Sequence, residues 1–333
     1  MIKDIDNKIE VAPLPPRILM DLKSDCNLKC PMCVVHGDTE NPQVQDIIGK
    51  NMSKDVVKKI LHEVSSVHPS VGPSLWSEPL LNKALLTHLK SMKSHGMNVS
   101  INTNGLALTE SMARSLVEIG INSITVSIDA ITPETLLKVR GIDKLVRIEQ
   151  NTLKLLSIRG GKSLPRIGVS FTKQTANLHE HDRFIQKWTE IVDFVRTGEL
   201  FADTKFPGIR IDRTQRKPCP ELYNTMAIHT NGDVSICCLD GFKDMIVGNV
   251  TTNTVQEVWQ GETMQKIRRN HENGDWDQVP FCKNCDRWAS SDYQEKTEGK
   301  LLIRKSPEYT FYNRLDRLEN WNRNCRHDNT VTS

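Results

Sequence analysis

The sequence lacks any long hydrophobic run and any segment typical of a secretory signal. No stretch approaches the roughly eighteen apolar residues of a membrane-spanning helix, and the N-terminus alternates charged residues with single apolar ones. These absences argue against secretion and against membrane insertion. Without an export signal, the nine cysteines belong in a reducing compartment, where they bind metals or catalyse reactions more often than they form disulfides. We therefore expect a cytoplasmic protein with no membrane partner.

A strong excess of charge of one sign is also lacking. The 44 basic and 41 acidic side chains leave a net charge of +3, which is too near balance for a nucleic-acid surface spread over a whole domain. The C-terminal region is locally basic, and this pattern favours a solvated amphipathic helix over an RNA-binding tail. Its basic residues are Arg304, Lys305, Arg314, Arg317, Arg323 and Arg326. We expect no nucleic-acid partner.

Short β-like segments alternate with longer helical segments from residue 17 to about residue 200. The helical segments have typical ends, with Thr109 and Thr132 as N-caps, Pro133 in a first helical position, and Gly96 and Gly120 just past the last turn. Six βα units predict an α/β fold with a parallel sheet, either barrel-like or open and doubly wound. Both arrangements place the functional site at the carboxyl ends of the strands. The six strand candidates are RILMDLKS, VGPSLW, NVSINTN, SITVSIDA, RIGVSFT and IVDFVRT.

Beyond residue 200 the alternation stops. The segment MAIHTNGDVSICC predicts a β-hairpin, because Asn231-Gly232 is a strong turn signal between two alternating strands. A short helix, TVQEVWQGETMQKIRRN, and the loop FCKNCDRW follow. These features predict a second, small α+β domain that carries cysteines.

Three cysteines, Cys26, Cys30 and Cys33, lie within the eight residues CNLKCPMC directly after the first predicted strand. An odd cluster this tight cannot pair internally as disulfides, so a metal is the better explanation. Three thiolates leave a tetrahedral zinc or one corner of a four-iron cluster without a protein ligand. His36 could complete a Cys3His zinc site. An iron-sulfur cluster would instead keep one iron open for a reactive ligand.

The CNLKCPMC loop resembles the CxxxCxxC motif of the radical S-adenosylmethionine (SAM) superfamily, in which the loop follows the first strand of a partial (β/α)6 TIM-like barrel. Other segments resemble further motifs of that family. Trp76-Ser77-Glu78-Pro79 matches the Glu-Pro core of its Gly-Gly-Glu-Pro motif but not the glycines. Thr103-Asn104-Gly105, the strand VSIDA and Arg140-Gly141 resemble its later motifs. The resemblance covers roughly residues 15 to 200.

This resemblance implies a [4Fe-4S] cluster on Cys26, Cys30 and Cys33, with SAM bound to the open iron. Reductive cleavage of SAM then gives methionine and a 5'-deoxyadenosyl radical, which takes a hydrogen atom from the substrate. A flavodoxin- or ferredoxin-type protein is the implied electron donor. The implied cofactor-binding residues are Met32, Ser77, Glu78, Pro79, Asn102, Thr103, Asn104, Ser127, Asp129, Arg140 and Ser170.

A second set of cysteines comprises Cys219, Cys237, Cys282 and Cys285. Four thiols from a hairpin and a CxxC loop can ligate either zinc or a second cluster. Their order resembles the SPASM and twitch extensions of radical SAM enzymes, which implies an auxiliary [4Fe-4S] cluster. Only Cys325 follows them, so we expect one such cluster. The expected domains are an N-terminal extension (1–14), the partial barrel (15–203), the auxiliary cluster domain (204–300), and a C-terminal helix and tail (301–333).

Cys238 follows the ligand Cys237, and alternation along a strand would point it to the opposite face. Such a residue is either a small buried hydrophobe or the hydrogen-atom donor of an epimerase. Asp212, Arg213 and Asp240 flank the auxiliary ligands, where they could position a polar substrate, accept a proton, or simply form surface salt bridges.

The leading hypothesis is a radical SAM oxidoreductase or isomerase that oxidises, dehydrates or epimerises a polar small molecule such as a sugar, aminosugar or aminocyclitol. A peptide maturase is the alternative within the family. We lean towards a small molecule, because peptide-modifying relatives often carry a recognition domain ahead of the barrel and this chain reaches its first predicted strand by residue 17. A non-catalytic iron-sulfur or zinc protein is the alternative of another class.

Overall fold

The computed structural model describes residues 9–37, 40–200 and 211–320. Within these residues the strands form one sheet in the order β10-β11-β12-β6-β5-β4-β3-β2-β1-β7-β8-β9. The strands are β1 (Arg17–Met20), β2 (Ser70–Gly72), β3 (Asn98–Thr103), β4 (Ser123–Ser127), β5 (Arg166–Lys173), β6 (Phe194–Glu199), β7 (Thr225–Ile228), β8 (Asp233–Ser235), β9 (Ile246–Asn249), β10 (Gln294–Glu298), β11 (Leu301–Lys305) and β12 (Tyr309–Arg314). The helices are α1 (Pro42–Ile47), α2 (Lys54–Glu63), α3 (Leu85–Ser94), α4 (Glu110–Ile119), α5 (Pro133–Arg140), α6 (Leu145–Arg159), α7 (His181–Thr189), α8 (Glu221–Asn224), α9 (Val255–Trp259) and α10 (Glu262–Glu272).

The barrel helices begin and end where local chemistry dictates. The Thr109 hydroxyl accepts the Met112 N–H at the start of α4, and Thr132 caps α5 in the same way with Pro133 at its first position. Gly120 ends α4 in the left-handed conformation, which glycine adopts without steric cost. These caps confirm the helix ends expected from the sequence.

The first six strands are parallel, and each lies beside the next along the chain. A doubly wound sheet would reverse its strand order near the middle, so this order confirms the barrel-like alternative. The outer edges do not meet. β1 pairs in parallel with β7, and β6 pairs antiparallel with β12, so the six-stranded barrel is partial.

Apolar side chains from the helices cover the outer face of the barrel sheet. These side chains pack against buried strand residues and hold the strands in register. The carboxyl ends of the strands therefore form a rigid rim. No helix in the described residues is long and apolar enough to cross a membrane. The main helix contributions to the core are Leu85, Leu89, Leu116, Ile148, Phe184 and Trp188.

The second, cysteine-bearing segment continues the sheet beyond β1. Its predicted hairpin is confirmed as β7 and β8, with Gly232 at a φ of +84° in the turn. β9 pairs with β8 as a third strand. The single helix expected after the hairpin is two helices, because Gly261 ends the first and caps the second.

The predicted C-terminal helix is wrong for the described residues of that segment. Residues 301–314 form β11 and β12, and a short 3-10 helix covers Leu315–Asn320. Aromatic and β-branched residues in YTFYNR favour a strand, and the free edge of β6 offers the hydrogen-bonding partner. The expected boundary at residue 300 therefore divides the β10–β11 hairpin. Arg323, Cys325 and Arg326 lie outside the described residues.

Candidate active site

The first cysteine loop begins shortly after β1 ends, at the rim where parallel strands present their carboxyl ends. Backbone N–H groups point at two of its sulfurs, from Leu28 to Cys26 (3.5 Å) and from His36 to Cys33 (3.3 Å). Such donors favour thiolate ligands. Gly37 closes the loop by donating its N–H to the Cys33 carbonyl, and a Cβ there would lie 2.5 Å from that oxygen. Sequence reasoning missed the requirement for glycine at this position.

Glu78 connects the cysteine loop to the next two strands. Its carboxylate accepts the Thr103 hydroxyl and the Asn104 N–H, both at 2.7 Å, while its own N–H donates to the Asp25 carbonyl. The Asn104 side-chain amide donates to the Asn27 side chain at 2.7 Å. Burial raises the pKa of Glu78, and these donors oppose that rise. Glu78, Thr103 and Asn104 thus form one connected group.

Asp21 organises the loop after β2, a role that the sequence analysis did not assign. Its buried carboxylate accepts the Leu75 N–H at 2.6 Å and the Ser77 hydroxyl at 2.7 Å. Burial raises the pKa of Asp21 to about 6 despite these hydrogen bonds. The signal was an acidic residue directly after the apolar run Ile18–Met20.

Arg140 carries a buried positive charge beside the cysteine loop. It binds the Asp129 carboxylate at 2.7 Å, and Asp129 also accepts the Thr172 N–H at 2.7 Å. Burial disfavours the charged form, but Asp129 and the nearby Cys30 outweigh burial and raise the pKa of Arg140. In turn, Arg140 opposes the burial that raises the pKa of the Cys30 thiol. Arg140 thus offsets part of the cost of a thiolate at Cys30.

These elements surround one cavity of about 370 Å³. Pro79 and Asp129 do not line it, since Pro79 begins a buried 3-10 turn and Asp129 lies behind Arg140 as its partner. Met32 lines the cavity and its sulfur accepts a hydrogen bond from Gln174. The other predicted residues on the wall are Cys26, Cys30, Cys33, Ser77, Glu78, Asn102, Thr103, Asn104, Ser127, Arg140 and Ser170.

The far wall of the cavity was not anticipated. Arg196 and Glu199 reach it from β6, and Glu308 and Tyr309 reach it from the connection into β12. The sheet register aligns Ser127, Ser170 and Arg196 in one row. Glu308 and Tyr309 could not be predicted as site residues from a C-terminal helix, because the pairing of β12 with β6 is what brings them to the cavity.

The second set of cysteines converges as predicted. Cys219, Cys237, Cys282 and Cys285 are all buried and line one small apolar-walled cavity. The Cys285 sulfur accepts the Arg287 N–H at 3.4 Å. Burial raises the pKa of all four thiols, that of Cys282 to about 12, so binding a metal group there releases protons.

The same cavity is lined by residues with buried N–H groups that lack a hydrogen-bond partner among the described residues. An unpaired buried donor costs about 1–3 kcal/mol, so several in one place indicate an acceptor-rich group. Four thiols and these donors fit a cluster that carries sulfide ions. The atoms are Arg216 Nε, His271 Nε2, Arg287 Nε and Trp288 Nε1.

Neither zinc alternative gains support from the geometry. The His36 ring interacts with the backbone of Trp76 and does not line the cavity of the first cysteines. In the described part of the chain, no three His, Cys, Asp or Glu side chains are arranged around a single metal ion. A single ion requires ligands that converge on one point, whereas a cluster spreads its ligand sulfurs apart.

The four tentative catalytic residues lie away from the cavity wall. Asp212 is exposed and accepts hydrogen bonds from Thr214, and Arg213 pairs with Asp286 at 2.9 Å. Asp240 is buried and accepts N–H groups of the turn that follows it. These contacts hold local turns and one ion pair, and the catalytic roles of the three residues stay predictions.

The expected strand alternation does not apply to Cys237 and Cys238, because β8 ends at Ser235 and both residues lie in the turn that follows. Their surroundings nevertheless differ. Cys238 lies beside Glu221 and Arg287, whereas Cys237 faces Cys219 and Cys282. Burial raises the pKa of the Cys238 thiol. Its role as a hydrogen-atom donor stays a prediction.

Family models match both halves of this arrangement. The model of the radical SAM superfamily matches residues 22–164, and that of the iron-sulfur cluster-binding SPASM domain matches residues 219–286. The chain belongs to the radical SAM superfamily and carries a C-terminal SPASM domain. These models imply the cofactors expected above, namely a [4Fe-4S] cluster with SAM and an auxiliary cluster. Membership of an enzyme family argues against the non-catalytic alternative.

Similar proteins vary in what they act on. A probable GTP 3',8-cyclase of Methanocaldococcus jannaschii is 27% identical over 193 residues, which are 54% of this chain and 59% of the relative. The chain spans about half the length of the curated relatives it matches.

Solved structures share the fold. BtrN in complex with AdoMet and 2-DOIA superposes with a TM-score of 0.56 at 18% identity, covering 82% of this chain and 93% of that chain. The structure of anSMEcpe with AdoMet and the Cp18Cys peptide gives 0.58 at 15% identity, covering 82% and 89%. Identities this low establish the fold alone.

Proposed function

We propose that this radical SAM enzyme oxidises, dehydrates or epimerises a polar small molecule, with sugars, aminosugars and aminocyclitols as the candidate class. One observation carries the proposal. The cavity that holds the SAM-motif residues also exposes charged and aromatic side chains from β6 and β12. A substrate between those two walls would meet both the reactive group and polar anchors.

The polar anchors suit a ligand with several hydroxyl or amino groups. Glu199 pairs with Lys173, and Glu308 pairs with the buried Arg287, so each carboxylate is held in place while it lines the cavity. Arg196 packs its guanidinium against the Tyr309 ring, with 5.5 Å to the ring centroid. Held side chains of this kind orient a small polar substrate without further ordering cost.

When bound, the reduced cluster and SAM supply a radical that removes one hydrogen atom from an unactivated carbon. The chain's own residues bind, orient and exclude water. Hydrogen removal leaves a carbon radical on the substrate. Oxidation to a carbonyl then requires loss of one proton and of one electron, for which an auxiliary cluster on the second set of cysteines would be the acceptor. Dehydration requires loss of water and then return of a hydrogen atom, and epimerisation requires return of a hydrogen atom to the opposite face.

A peptide substrate is the second candidate, and a specific feature favours it. A cleft of about 500 Å³ adjoins the cavity and shares Glu199, Glu308 and Tyr309 with it. Such a cleft would accommodate an extended chain beyond the reacting residue. The anSMEcpe structure contains a peptide, whereas the BtrN structure contains the small molecule 2-DOIA.

The remaining partners follow from the chemistry. We propose a flavodoxin- or ferredoxin-type protein as the source of the electron, and a cytoplasmic location, where cysteine ligands stay reduced.

The test is anaerobic reconstitution with iron and sulfide, followed by SAM and dithionite. We expect 5'-deoxyadenosine from the wild type and none from a Cys26/Cys30/Cys33→Ala variant, which should keep about half of the iron on its second set of cysteines. An iron-loaded wild type that leaves SAM intact would contradict the proposal.

Substrate class is tested with deuterated compounds. We expect deuterium in 5'-deoxyadenosine when deuterated aminocyclitols or sugars are added. Transfer from peptides alone would replace the small-molecule proposal with the peptide candidate.

A further inference from the structure

The residues that line the auxiliary cavity carry four buried N–H groups with no partner among the described residues. They belong to Arg216, His271, Arg287 and Trp288, which line the cavity together with the four cysteines. His271, Arg287 and Trp288 are each more than nine-tenths buried. Buried donors are almost always satisfied in folded proteins, so this concentration indicates acceptors within the cavity.

His271 has one defined tautomer in this setting. Its Nδ1 atom accepts the Cys219 N–H at 3.3 Å, so the proton of the neutral ring is on Nε2. Nε2 has no partner, and the ring is held edge-on by Trp276 at 5.1 Å between ring centroids. The imidazole of this cavity-lining residue is therefore fixed, with a donor that has no partner among the described residues.

The two arginines are fixed as firmly. Arg216 donates to the carbonyls of Cys282 (2.6 Å) and Lys283 (2.9 Å), which leaves its Nε unpaired. Arg287 uses its terminal nitrogens for Glu221 and Glu308, which likewise leaves Nε unpaired. Neither guanidinium can turn away to find another acceptor without breaking these contacts.

We propose that Arg216, His271, Arg287 and Trp288 are positioning residues that donate hydrogen bonds to the sulfur atoms of the auxiliary cluster. A donor to cluster sulfur stabilises the reduced, more negative state and so raises the reduction potential. The cluster thus accepts an electron more readily than four cysteines alone would allow. The inference rests on the auxiliary cluster and not on which substrate the enzyme takes.

Two pairs of variants test the inference in a Cys26/Cys30/Cys33→Ala background, in which the auxiliary cluster is the one that gives a signal. The reduction potential is measured by redox titration followed by EPR. Trp288→Phe keeps the aromatic ring but removes the donor, and we expect a shift to lower potential. Trp259→Phe is the matched control, because the Trp259 indole donates to the Ala12 carbonyl and lies outside the cavity. We expect no shift there.

His271 offers a rescue. We expect His271→Leu to lower the potential and His271→Gln to restore most of it, because glutamine can accept from Cys219 and still donate from its amide. Equal potentials in wild type, Trp288→Phe and His271→Leu, each with full iron content, would overturn the inference. So would a shift of the same size in Trp259→Phe.

If a variant fails to hold the cluster, a second measurement uses protein in which all four cavity residues are unchanged. Pulse EPR of the reduced cluster with 15N-labelled histidine should detect a 15N coupling from His271, and transfer to D2O should exchange coupled protons. Absence of both couplings would refute the proposal. The intact enzyme could still form 5'-deoxyadenosine in that case. Failure of this inference can therefore be distinguished from failure of the proposed function.

Discussion

At the scale of single residues, the site depends on carboxylates whose ionisation is set by burial. Asp21 holds the Leu75–Ser77 loop at the cavity, and its pKa is about 6 instead of 3.8. As the pH falls, Asp21 therefore takes up its proton at a higher pH in the folded state than in the unfolded state. The stabilisation that results is complete below about pH 3.8 and is lost as the pH rises through 6. At neutral pH the buried charge costs up to about 3 kcal/mol.

We expect Asp21→Asn to unfold at a higher temperature than wild type at pH 7.5, because the amide still accepts a hydrogen bond but carries no charge. The difference should shrink as the pH falls to 5.5, where wild-type Asp21 is mostly protonated. Thermal unfolding at several pH values measures it. Asp25→Asn is the control of opposite sign, since Lys23 and the Gly49 N–H outweigh burial and lower the pKa of Asp25. A pH-independent difference for Asp21→Asn would contradict the account.

At the scale of elements, β12 decides the shape of the far wall. It lies between β11 and β6, so its backbone groups bond to strands on both sides. Its first residue, Tyr309, and the preceding Glu308 line the cavity. A helix in the same segment would leave β6 as an open edge and remove both side chains from the site.

Proline substitution combined with hydrogen exchange tests whether the backbone at this position pairs with β6. Phe311 pairs with Arg196 of β6 and with Arg304 of β11. We expect Phe311→Pro to destabilise the protein by about 1–3 kcal/mol more than Phe311→Ala, because both lose the ring but proline also removes a ladder N–H. Thermal unfolding measures the difference, and hydrogen exchange in β6 should rise in the proline variant alone. Unchanged hydrogen exchange in β6 in the proline variant would count against pairing of β12 with β6.

The barrel and the first cysteine loop could be predicted because their signals are local. Cys26, Cys30 and Cys33 lie in one loop, and Thr109 and Thr132 mark helix starts through contacts within one turn. Where the structure differed, the deciding contact was distant in sequence. Glu308 reaches the cavity only because β12 pairs with a strand more than a hundred residues earlier. Likewise, the partner of Asp21 is the Leu75–Ser77 loop.

Flanking position along the chain was a poor guide to which residues line the auxiliary cavity. Asp212, Arg213 and Asp240 are near ligands in sequence, but their side chains serve local turns and one ion pair. His271 belongs to no cysteine motif in the sequence, yet it lines the same cavity as the four ligands. A helical histidine with no motif around it gave no reason to be singled out.

At the scale of the whole molecule, one buried ion network joins the barrel to the auxiliary domain. Arg287 follows the ligand Cys285 and binds both Glu221, at 2.8 Å, and Glu308. Burial alone would raise the pKa of Glu221, but Arg287 and Arg17 of β1 outweigh it and lower that pKa to about 2. The network therefore connects the first strand, the auxiliary segment and the connection into β12.

Removal of its central cation should be costly, because Arg287→Met leaves two buried carboxylates facing each other. We expect a loss of about 3–5 kcal/mol, measured as a lower unfolding temperature of the reconstituted protein at matched iron content. Adding Glu308→Gln to Arg287→Met should recover part of this loss, because it removes one of the two carboxylates left without Arg287. Lys283→Met is the matched control, since the Lys283–Asp277 pair is exposed and its loss should change little. Equal destabilisation by the two single substitutions, or no recovery in the double variant, would show that the barrel and the auxiliary domain are held together by other contacts.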